Sequence, residues 1–387
     1  MKLALISVSS NTQISGITRH AANVARCLLL HTEIEEIHMI VAPWEQQMLR
    51  SAIGCEHPRL RMHCVFVDRT SLARNLWFYS ELPLVLDQLG ADMVHLSYPA
   101  PLNRRRLRCP AVVSVHDLYP YDVPENWGYP KVLFNRLILR QCLRAADGLA
   151  CVSGATLDRV RNRFPGAIAG KAHRISNSVE MVKARGCRGP LPSSLYAPFL
   201  LCVAQHRRNK NVGLALRVFE RLLRDGSLPA KMLLVIIGMP GPETPALERA
   251  VEQAGMRANV AFLKGISDTE LQWCYRNCEA LVAPSLIEGF GLPVAEGLMA
   301  GSRVVCSDIP AFREMAGDSC RYFQLGEGED AAFAAQILGA LAEKRPQPIL
   351  LPQLSPACIA REYQALYESV AGRKERRTAG IPVLARP

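Results

Sequence analysis

The sequence predicts an α/β protein built from two doubly wound domains, in which parallel strands alternate with helices. Three observations support this fold class. Short apolar runs alternate with amphipathic helical patterns along nearly the whole chain. A stretch rich in Gly, Pro and Ser at 181–198 interrupts the alternation, which then restarts. The chain has 387 residues, more than the roughly 250–300 that a single hydrophobic core supports.

In the first half, strands and helices take turns as they do in βαβ units. The N-terminal apolar run has no small-residue cleavage site and is broken at Asn11, which favours a buried strand over a signal peptide. Helices are predicted at 16–30 and 131–145. The predicted strands cover residues 2–8, 37–41, 62–67, 92–96, 111–115 and 149–152.

The second half repeats the alternation, with a helix predicted at 211–224 and strands at 199–203, 232–237, 260–263, 280–283 and 304–306. We therefore predict a first domain at 1–185, a linker at 186–198 and a second domain at 199–354. A C-terminal helix at 355–372 is predicted to cross back to the first domain, ahead of a basic tail at 373–387. Ligands of such sheets bind beyond the carboxyl ends of the strands, so the cleft between the domains is the expected site.

Composition excludes several classes of protein. Hydrophobic residues make up 49% and charged residues 21% of the chain, which excludes a wholly disordered protein. No run reaches the roughly 18 apolar residues of a transmembrane helix. The 13 cysteines contain no C-x-x-C pair, and there is no D-x-D motif or dense His/Asp cluster. We therefore expect reduced thiols, a cytoplasmic location and no metal.

The positive charge is concentrated in the first half. The net charge is +11, and residues 1–190 hold 24 Lys and Arg against 15 Asp and Glu. This excess indicates nucleic acid, an anionic membrane surface or a phosphate-bearing substrate. Arg136, Arg140 and Arg144 are spaced by four and predict one helical stripe, suited to anionic lipid or to a lipid-diphosphate acceptor. A solvated helix face is the alternative.

The most informative segment lies at 284–297, directly after a predicted strand. Glu288 precedes Glu296 by eight residues, and the intervening Gly289 and Gly291 allow the backbone close to a ligand. A helix is predicted to start near Leu292, and helix N-termini attract phosphate. A carboxylate suits bidentate hydrogen bonding to a vicinal diol. The alternative is a capped helix with a glutamate near its positive end.

This segment, E-x7-E with EGFGLP inside it, resembles the retaining glycosyltransferases of family 4, which have the GT-B fold. The resemblance covers nearly the whole chain, because other segments resemble family motifs in the expected order. Residues 203–211 resemble the segment usually written V-G-x-x-x-x-R-K-N. The other matching segments are 115–117, 152–156, 235–238 and 262–271.

The resemblance implies a role for each matching residue. Glu296 would bind the ribose hydroxyls of a nucleotide sugar, and Glu288 would contact the hydroxyls of the donor sugar. Lys210, with Arg208 or Arg207, would neutralise the diphosphate leaving group. His116 would reach the sugar from the first domain. The further donor-site residues are Gly289, Phe290, Gly291 and Leu292, whose backbone amides face sugar and phosphate, and Gly16, Gly238, Leu263 and Ser267.

The chain departs from the family pattern at three places. Ala204 stands where the family has Gly, and Asn209 stands where it has the Arg before Lys. The first loop contains only Gly16 where the family usually has two adjacent glycines. Which of Arg207 and Arg208 contacts the diphosphate therefore stays open.

The resulting hypothesis is a retaining hexosyltransferase that needs no metal and no cofactor besides its nucleotide-sugar co-substrate. Retention without an obvious nucleophile resembles the family's front-face substitution. GDP-mannose is the favoured donor, with UDP-glucose, UDP-galactose and UDP-N-acetylglucosamine open. The acceptor would be a lipid-linked oligosaccharide, a lipopolysaccharide core or a growing polysaccharide, at the inner face of a bacterial membrane. No nucleic acid is expected. The alternatives are a nucleotide-sugar epimerase on the same fold and a non-catalytic protein that binds an anionic polymer.

Overall fold

The computed structural model describes residues 1–126, 128–181, 189–190 and 197–379. The chain forms two compact units. The first comprises Met1–Tyr121, Tyr129–Ser178 and Pro352–Pro387, and the second comprises Asp122–Gly128 and Val179–Leu351. Most of the predicted linker at 186–198 lies outside the described residues, so the predicted domain boundaries stay predictions. The inclusion of Asp122–Gly128 in the second unit has no counterpart in the sequence prediction.

The first unit contains a parallel sheet that has seven strands among the described residues, in the order β3-β2-β1-β4-β5-β6-β7. These strands are β1 (Lys2–Ser7), β2 (Glu36–Val41), β3 (Leu60–Cys64), β4 (Met93–Leu96), β5 (Ala111–Val115), β6 (Gly148–Cys151) and β7 (Ala172–Arg174). The helices in this part of the chain are α1 (Gly16–Leu29), α2 (Gln46–Ile53), α3 (Ser71–Ser80), α4 (Leu82–Leu89), α5 (Tyr119–Asp122), α6 (Lys131–Ala145) and α7 (Gly154–Arg163).

The second unit contains a parallel sheet with six strands in its described part, in the order β10-β9-β8-β11-β12-β13. The strands are β8 (Phe199–Val203), β9 (Leu233–Ile237), β10 (Val260–Leu263), β11 (Ala280–Ala283), β12 (Val304–Ser307) and β13 (Arg321–Phe323). The helices are α8 (Val212–Arg224), α9 (Thr244–Gln253), α10 (Asp268–Asn277), α11 (Leu292–Met299), α12 (Pro310–Ala316) and α13 (Glu329–Ala342). The final helix, α14 (Pro356–Ala379), returns to the first unit.

The central strands of the first sheet are buried on both faces, which explains why β1, β4 and β5 are largely apolar. The edge strands β3 and β7 are only partly buried. Successive side chains of β1 point to opposite faces. Leu3 and Leu5 belong to a core cluster that includes residues of α1 and α14, whereas Ala4 and Ile6 belong to the cluster formed with α3, α4 and α6. The sheet is therefore the middle layer of a doubly wound unit, as the sequence predicts.

In each sheet the strand order reverses beside the first strand of the unit. β1 lies between β2 and β4, and β8 lies between β9 and β11. In open α/β sheets, ligands bind outside the carboxyl ends of the strands at this switch point. Within the second unit, the loops that follow β8 and β11 are therefore the expected ligand-binding segments.

Most predicted strands and helices have ends within two residues of the observed ones. The strand predicted at 62–67 is β3 at Leu60–Cys64, which ends three residues earlier. The short strands β7 and β13 escape prediction because each has three residues and no distinctive pattern. Helix α14 continues to Ala379, into the predicted basic tail, and residues 380–387 lie outside the described part of the chain. No helix in the described ranges is both long and apolar enough to cross a membrane.

Candidate functional site

The loops after β8 and β11 meet at the switch point of the second sheet. β8 and β11 are paired in parallel, with Leu200 opposite Ala280. Beyond the strands, the backbone N–H of Leu286 donates to the carbonyl oxygen of Asn209 at 2.8 Å. This bond joins two segments that are far apart in sequence. It places Lys210 beside Glu288, and the sequence analysis predicts that both residues act at the same site.

Lys210 and Glu288 form a close ion pair. The Lys210 Nζ lies 2.6 Å from Oε1 and 2.8 Å from Oε2 of Glu288. The Glu288 side chain is 8% exposed and that of Lys210 is 20% exposed. The buried Ser285 hydroxyl donates to Glu288 Oε1 at 2.8 Å. The ammonium and carboxylate groups therefore hold each other in a fixed geometry before any substrate arrives.

Glu296 projects from α11, in the first turns after the glycine-containing loop. Its Oε2 accepts a hydrogen bond of 2.7 Å from the hydroxyl of Tyr275, a buried residue of α10. The structure thus supplies an orienting partner that sequence reasoning missed. Tyr275 precedes Glu296 by 21 residues, and no short motif links the two.

Gly291 is required where the loop enters α11. Its φ of 97° lies in the left-handed region, and a Cβ atom there would lie 2.5 Å from the Phe312 ring. A residue with a side chain would be strained in its backbone and would clash. The glycine therefore shapes the loop between Glu288 and Glu296.

Two arginines, Arg207 and Arg208, precede Lys210 and differ in solvent exposure. Asn209, which separates them from Lys210, is buried. Arg207 is half-buried and Arg208 is exposed. Asn209 is fully buried, and its Oδ1 accepts a hydrogen bond of 3.1 Å from Asn126 Nδ2. Asn126 belongs to the 122–128 segment that joins the second unit, so sequence reasoning, which assigned it to the first domain, missed it. The structure leaves both arginines as candidates for the phosphate contact.

Several other predicted donor-site residues also have clear roles in the fold. A Cβ at Gly238 would lie 1.9 Å from the Ala204 carbonyl oxygen, so this glycine permits the close approach of the loops after β8 and β9. The Gly238 N–H donates to the Leu263 carbonyl at 3.0 Å. Ser267 caps α10 and donates to Glu270 at 2.7 Å. Phe290 is buried in the second unit. A donor contact of these residues and of Gly289 and Leu292 stays a prediction.

In the first unit, His116 lies just beyond β5. Its Nε2 is 2.7 Å from the carbonyl oxygen of Ser97, which can only accept, so Nε2 carries the proton. Burial lowers the pKa of His116 below its usual range. The ring is therefore neutral near pH 7, and its Nδ1 is a hydrogen-bond acceptor. A sugar hydroxyl could donate to this atom.

A buried network of hydrogen-bonded polar side chains lies beside His116. The network includes His20, whose ring contacts the His116 ring edge-on, with 4.5 Å between the ring centroids. Burial lowers the pKa of His20 well below its usual range and that of His95 to about 3, so both rings are neutral. With both rings neutral, a single assignment of donors and acceptors satisfies all four hydrogen bonds of this network. The hydroxyl of Tyr367 donates to His95 Nδ1 (2.7 Å), and His95 Nε2 donates to Ser114 Oγ (2.9 Å). Ser114 donates to His20 Nε2 (2.8 Å), and His20 Nδ1 donates to Asn177 Oδ1 (2.6 Å).

The loop after β1 is anchored by a buried carboxylate. Glu45 accepts hydrogen bonds from the backbone N–H (2.9 Å) and the hydroxyl (2.6 Å) of Ser9. Burial raises the pKa of Glu45 to about 7. The loop ends where Ser15 caps α1, whose first residue is the predicted site residue Gly16. Gly16 is exposed there, and its contact with a ligand stays a prediction.

The basic stripe predicted on α6 is only partly present, because one of its three arginines packs against an aromatic ring. Arg140 and Arg144 are exposed as expected. Arg136 instead packs its guanidinium over the Tyr121 ring, 5.2 Å from the centroid, and its Nε donates to the Pro120 carbonyl at 2.7 Å. Two of the three arginines are therefore available to an anionic surface.

No group of three or more His, Cys, Asp or Glu residues is placed to hold a metal ion in the ranges that the structure describes. Independence from metal stays a prediction, to be tested with the protein in solution.

Two family models match successive parts of the chain. The model described as Glycosyltransferase Family 4 matches residues 14–182, and that described as Glycosyl transferases group 1 matches residues 190–349. Together they cover nearly all of both predicted domains.

Relatives and solved structures agree with these matches. The serotype-specific mannosyltransferase WbdA of Escherichia coli is 29% identical over 254 residues, which are 62% of this chain. The match spans 31% of that relative, so the matched part of this chain covers about a third of the relative's length. The structure of WaaG, a glycosyltransferase involved in lipopolysaccharide biosynthesis, gives a TM-score of 0.67 at 18% identity and covers 98% of this chain and 100% of WaaG. Anabaena Alr3699/HepE, solved with UDP and glucose, gives 0.63 at 14% identity over 98% and 100% of the two chains.

Proposed function

We infer that this chain, which belongs to glycosyltransferase family 4 and has the GT-B fold, transfers a hexose from a nucleotide sugar to a glycan or lipid-linked acceptor. The observation that carries the proposal is the Lys210–Glu288–Ser285 cluster at the switch point of the second sheet. Glu296 and the N-terminus of α11 follow in the same loop and helix. This combination offers a cation and backbone amides for phosphate, and carboxylates for sugar hydroxyls.

The chemistry follows from the charge that develops on the leaving group. When the glycosidic bond to a nucleoside diphosphate breaks, negative charge grows on the phosphate oxygens. Fixed cations and N–H dipoles stabilise that charge, and one such group contributes about 10²–10³ in rate. We assign this role to Lys210, with Arg207 or Arg208 as its partner. The bond to Glu288 holds the Lys210 ammonium in position before the phosphates bind.

The carboxylates and His116 would recognise the sugar and the ribose. Glu288 can accept from donor-sugar hydroxyls while it remains paired with Lys210, because a carboxylate has about four lone-pair sites. Glu296, oriented by Tyr275, would accept from the ribose diol. His116 offers Nδ1 to the sugar as an acceptor, because its single N–H, on Nε2, is directed at the Ser97 carbonyl. Transfer with retention and without metal is the mechanism we propose for this set.

The names of the relatives bear on the donor and the acceptor. WbdA is a mannosyltransferase, which supports GDP-mannose, whereas the HepE complex with UDP and glucose keeps a UDP-hexose as the alternative. WaaG acts in lipopolysaccharide biosynthesis, which supports an acceptor in surface polysaccharide assembly. We propose that the protein works in the cytoplasm, at the inner face of the membrane where such acceptors are anchored.

A panel of nucleotides tests the proposal directly. The melting temperature is measured with GDP, UDP, ADP and their common sugar conjugates, without added metal and again with EDTA. A ligand that binds only the folded state stabilises it by about 2.7 kcal/mol at 100 times its Kd. We expect a shift with one diphosphate family that survives EDTA. No shift with any nucleotide would contradict the proposal, and a shift abolished by EDTA would contradict metal independence.

Two substitutions separate the roles of the carboxylates. We expect Glu296→Ala to weaken nucleotide-sugar binding and Glu288→Ala to lower turnover. Glu252→Ala, at an exposed position of α9, is the matched control and should leave both unchanged. Wild-type activity in both site variants would show that the site has been assigned wrongly.

A further inference from the structure

His20 is a buried histidine of α1 that takes no part in the proposed mechanism. Its side chain is 2% exposed. Both ring nitrogens have partners, since Nδ1 lies 2.6 Å from Asn177 Oδ1 and Nε2 lies 2.8 Å from Ser114 Oγ. The ring therefore has no nitrogen left for a sugar hydroxyl. Any effect of His20 on transfer must pass through a neighbouring side chain.

The neighbour that matters for transfer is His116, the residue that offers Nδ1 to a sugar hydroxyl. The planes of the His20 and His116 rings meet at 86°, with 4.5 Å between their centroids. Edge-on packing of this kind is a favourable geometry for two aromatic rings. The two residues are far apart in the sequence, so only the fold brings the rings together.

The orientation of the His116 ring needs more than its own hydrogen bond. Its Nε2 donates to the Ser97 carbonyl at 2.7 Å. This bond restrains one atom of the ring and leaves the tilt of the ring plane to the surrounding packing. A tilt would move Nδ1, and displacing a reacting group by about 1 Å can cost about 10²-fold in rate. The side chain that packs edge-on against this ring is therefore in a position to affect transfer.

His20 is well suited to hold its neighbour, because its own ring is fixed from two sides. Ser114 lies on β5, Asn177 follows β7, and His95 Nε2 donates to Ser114 Oγ at 2.9 Å. Burial lowers the pKa of His20 well below its usual range, so the neutral ring has one donor and one acceptor nitrogen, as these two bonds require. A buried polar network with all its bonds made is rigid.

A histidine is also an expensive choice for this position if packing is its only role. Buried polar groups cost free energy unless they are hydrogen-bonded, whereas an apolar side chain needs no partners. The buried neighbours Ala21, Val24 and Ala25 on α1 are apolar and belong to the core cluster formed with α14. The alternative role for His20 is to tie α1 to the sheet without affecting the chemistry.

We propose that His20 is a positioning residue for His116. Its ring, held by Ser114 and Asn177, fixes the plane of the His116 ring, so that Nδ1 is already oriented to accept from a sugar hydroxyl. The proposal rests on the proposed function for the role of His116 and not for the contact between the two rings. The test therefore includes one measurement that does not depend on activity.

That measurement is the NMR spectrum of the histidine ring nitrogens in the full chain. The test variant is His20→Leu. The matched control is His38→Leu, because His38 is 4% exposed and both its ring nitrogens are hydrogen-bonded, to His63 and Glu36. His38 lies on β2, three strand positions from β5 in the sheet, or roughly 14 Å. The signals of His116 are identified by their loss in His116→Ala.

We expect two well-separated ring-nitrogen signals for His116 in the wild type, because the proton stays on Nε2. In His20→Leu these signals should broaden or approach each other, since the ring is no longer held against the Ser97 carbonyl. In His38→Leu they should be unchanged. Separate, sharp signals of His116 in His20→Leu would overturn the proposal.

A kinetic cycle then shows whether His20 acts through His116. We expect His20→Leu to lower kcat about ten-fold or more and to change the donor KM by less than about three-fold. The same substitution made in His116→Ala should change kcat by less than about two-fold, because no ring remains to be positioned. Equal losses in the two backgrounds would assign His20 a purely structural role and overturn the proposal. His38→Leu should leave kcat within about two-fold of the wild type.

A second variant covers the case in which His20→Leu fails to fold, as judged by circular dichroism. Asn177→Ala keeps the His20 ring and removes one of its two partners. It should lower kcat about three-fold, and only while His116 is present; equal losses with and without His116 would again overturn the proposal.

The nucleotide panel separates this proposal from the proposed function. Melting-temperature shifts should persist in His20→Leu, because Lys210, Glu288 and Glu296 belong to the second unit. Wild-type turnover in His116→Ala, with those shifts intact, would overturn the positioning role and leave the glycosyltransferase assignment standing. If the wild type showed neither shifts nor turnover, the proposed function would fail, and the ring-nitrogen spectra would still decide whether His20 positions His116.

Discussion

Replacing Lys210 by Met should destabilise the protein by leaving a buried carboxylate without its cation. The Nζ lies within 2.8 Å of both Glu288 oxygens, and the Glu288 side chain is 8% exposed. Removing one partner of a buried ion pair costs about 3–5 kcal/mol. The Lys210 side chain is 20% exposed, and Ser285 still donates to the carboxylate, so we expect a loss at or just below the bottom of that range, about 2 to 3 kcal/mol.

The size of this loss is measurable by thermal unfolding. For a domain of 150–250 residues, 1 kcal/mol corresponds to about 2–4 °C, so Lys210→Met should lower Tm by about 4 to 12 °C. Adding Glu288→Gln removes the buried charge and should recover about half of the loss. The matched control is Arg217→Met, because Arg217 forms an exposed ion pair with Asp330 at 3.1 Å. Exposed pairs contribute about 0–1 kcal/mol, so its Tm should change little.

Two results would refute this reasoning. If Lys210→Met melted at the wild-type temperature, the buried pair would not be a stabilising interaction. If the single and double variants melted at the same reduced temperature, the loss would come from Lys210 packing and not from the charge that remains on Glu288. The same three proteins should be assayed for transfer, since loss of the cation is expected to reduce kcat by about 10²–10³.

Three further predictions follow from other contacts. Tyr275→Phe removes the hydrogen bond that orients Glu296 and should raise the donor KM about five-fold with little change in kcat, as steady-state kinetics would show; an unchanged KM would mean that Glu296 needs no such support. Gly291→Ala should lower Tm by several degrees, because a Cβ there would lie 2.5 Å from the Phe312 ring at a φ of 97°, and an unchanged Tm would contradict the strain. Glu45 has a pKa raised from 4.5 to about 7 by burial, so its protonated form favours folding. Compared with Glu45→Gln, the wild type should therefore lose up to about 3 kcal/mol of stability as pH rises from about 5 to about 7, and parallel pH profiles from urea unfolding would refute this.

The sequence predicted the fold well because its signals are local. Apolar runs such as 232–237 indicate strands buried on both faces, whatever the rest of the chain does. Elements with weaker signals were missed, such as β7 and β13. The 122–128 segment was assigned to the first domain by its position in the chain, although its contacts place it in the second unit.

At the candidate site, the sequence predicted single residues but not the partners that contact them in the structure. Glu288, Glu296 and Lys210 stand out by type and spacing around predicted strand ends. Tyr275 has no such signal, since one tyrosine on an amphipathic helix resembles any other. Asn126 was missed for the same reason.

The sequence by itself determined the two α/β domains, the carboxylates on the loop and helix after β11, and the excess of basic residues in the first half. These follow from periodicity, turn residues and composition, which depend on neighbouring positions. Only the tertiary structure decided which groups meet. Lys210 and Glu288 are 78 residues apart, and His95 and Tyr367 are 272 apart. The physical reason is that strand order, and not sequence distance, sets which strand ends and helix faces become neighbours, and nothing local encodes that order.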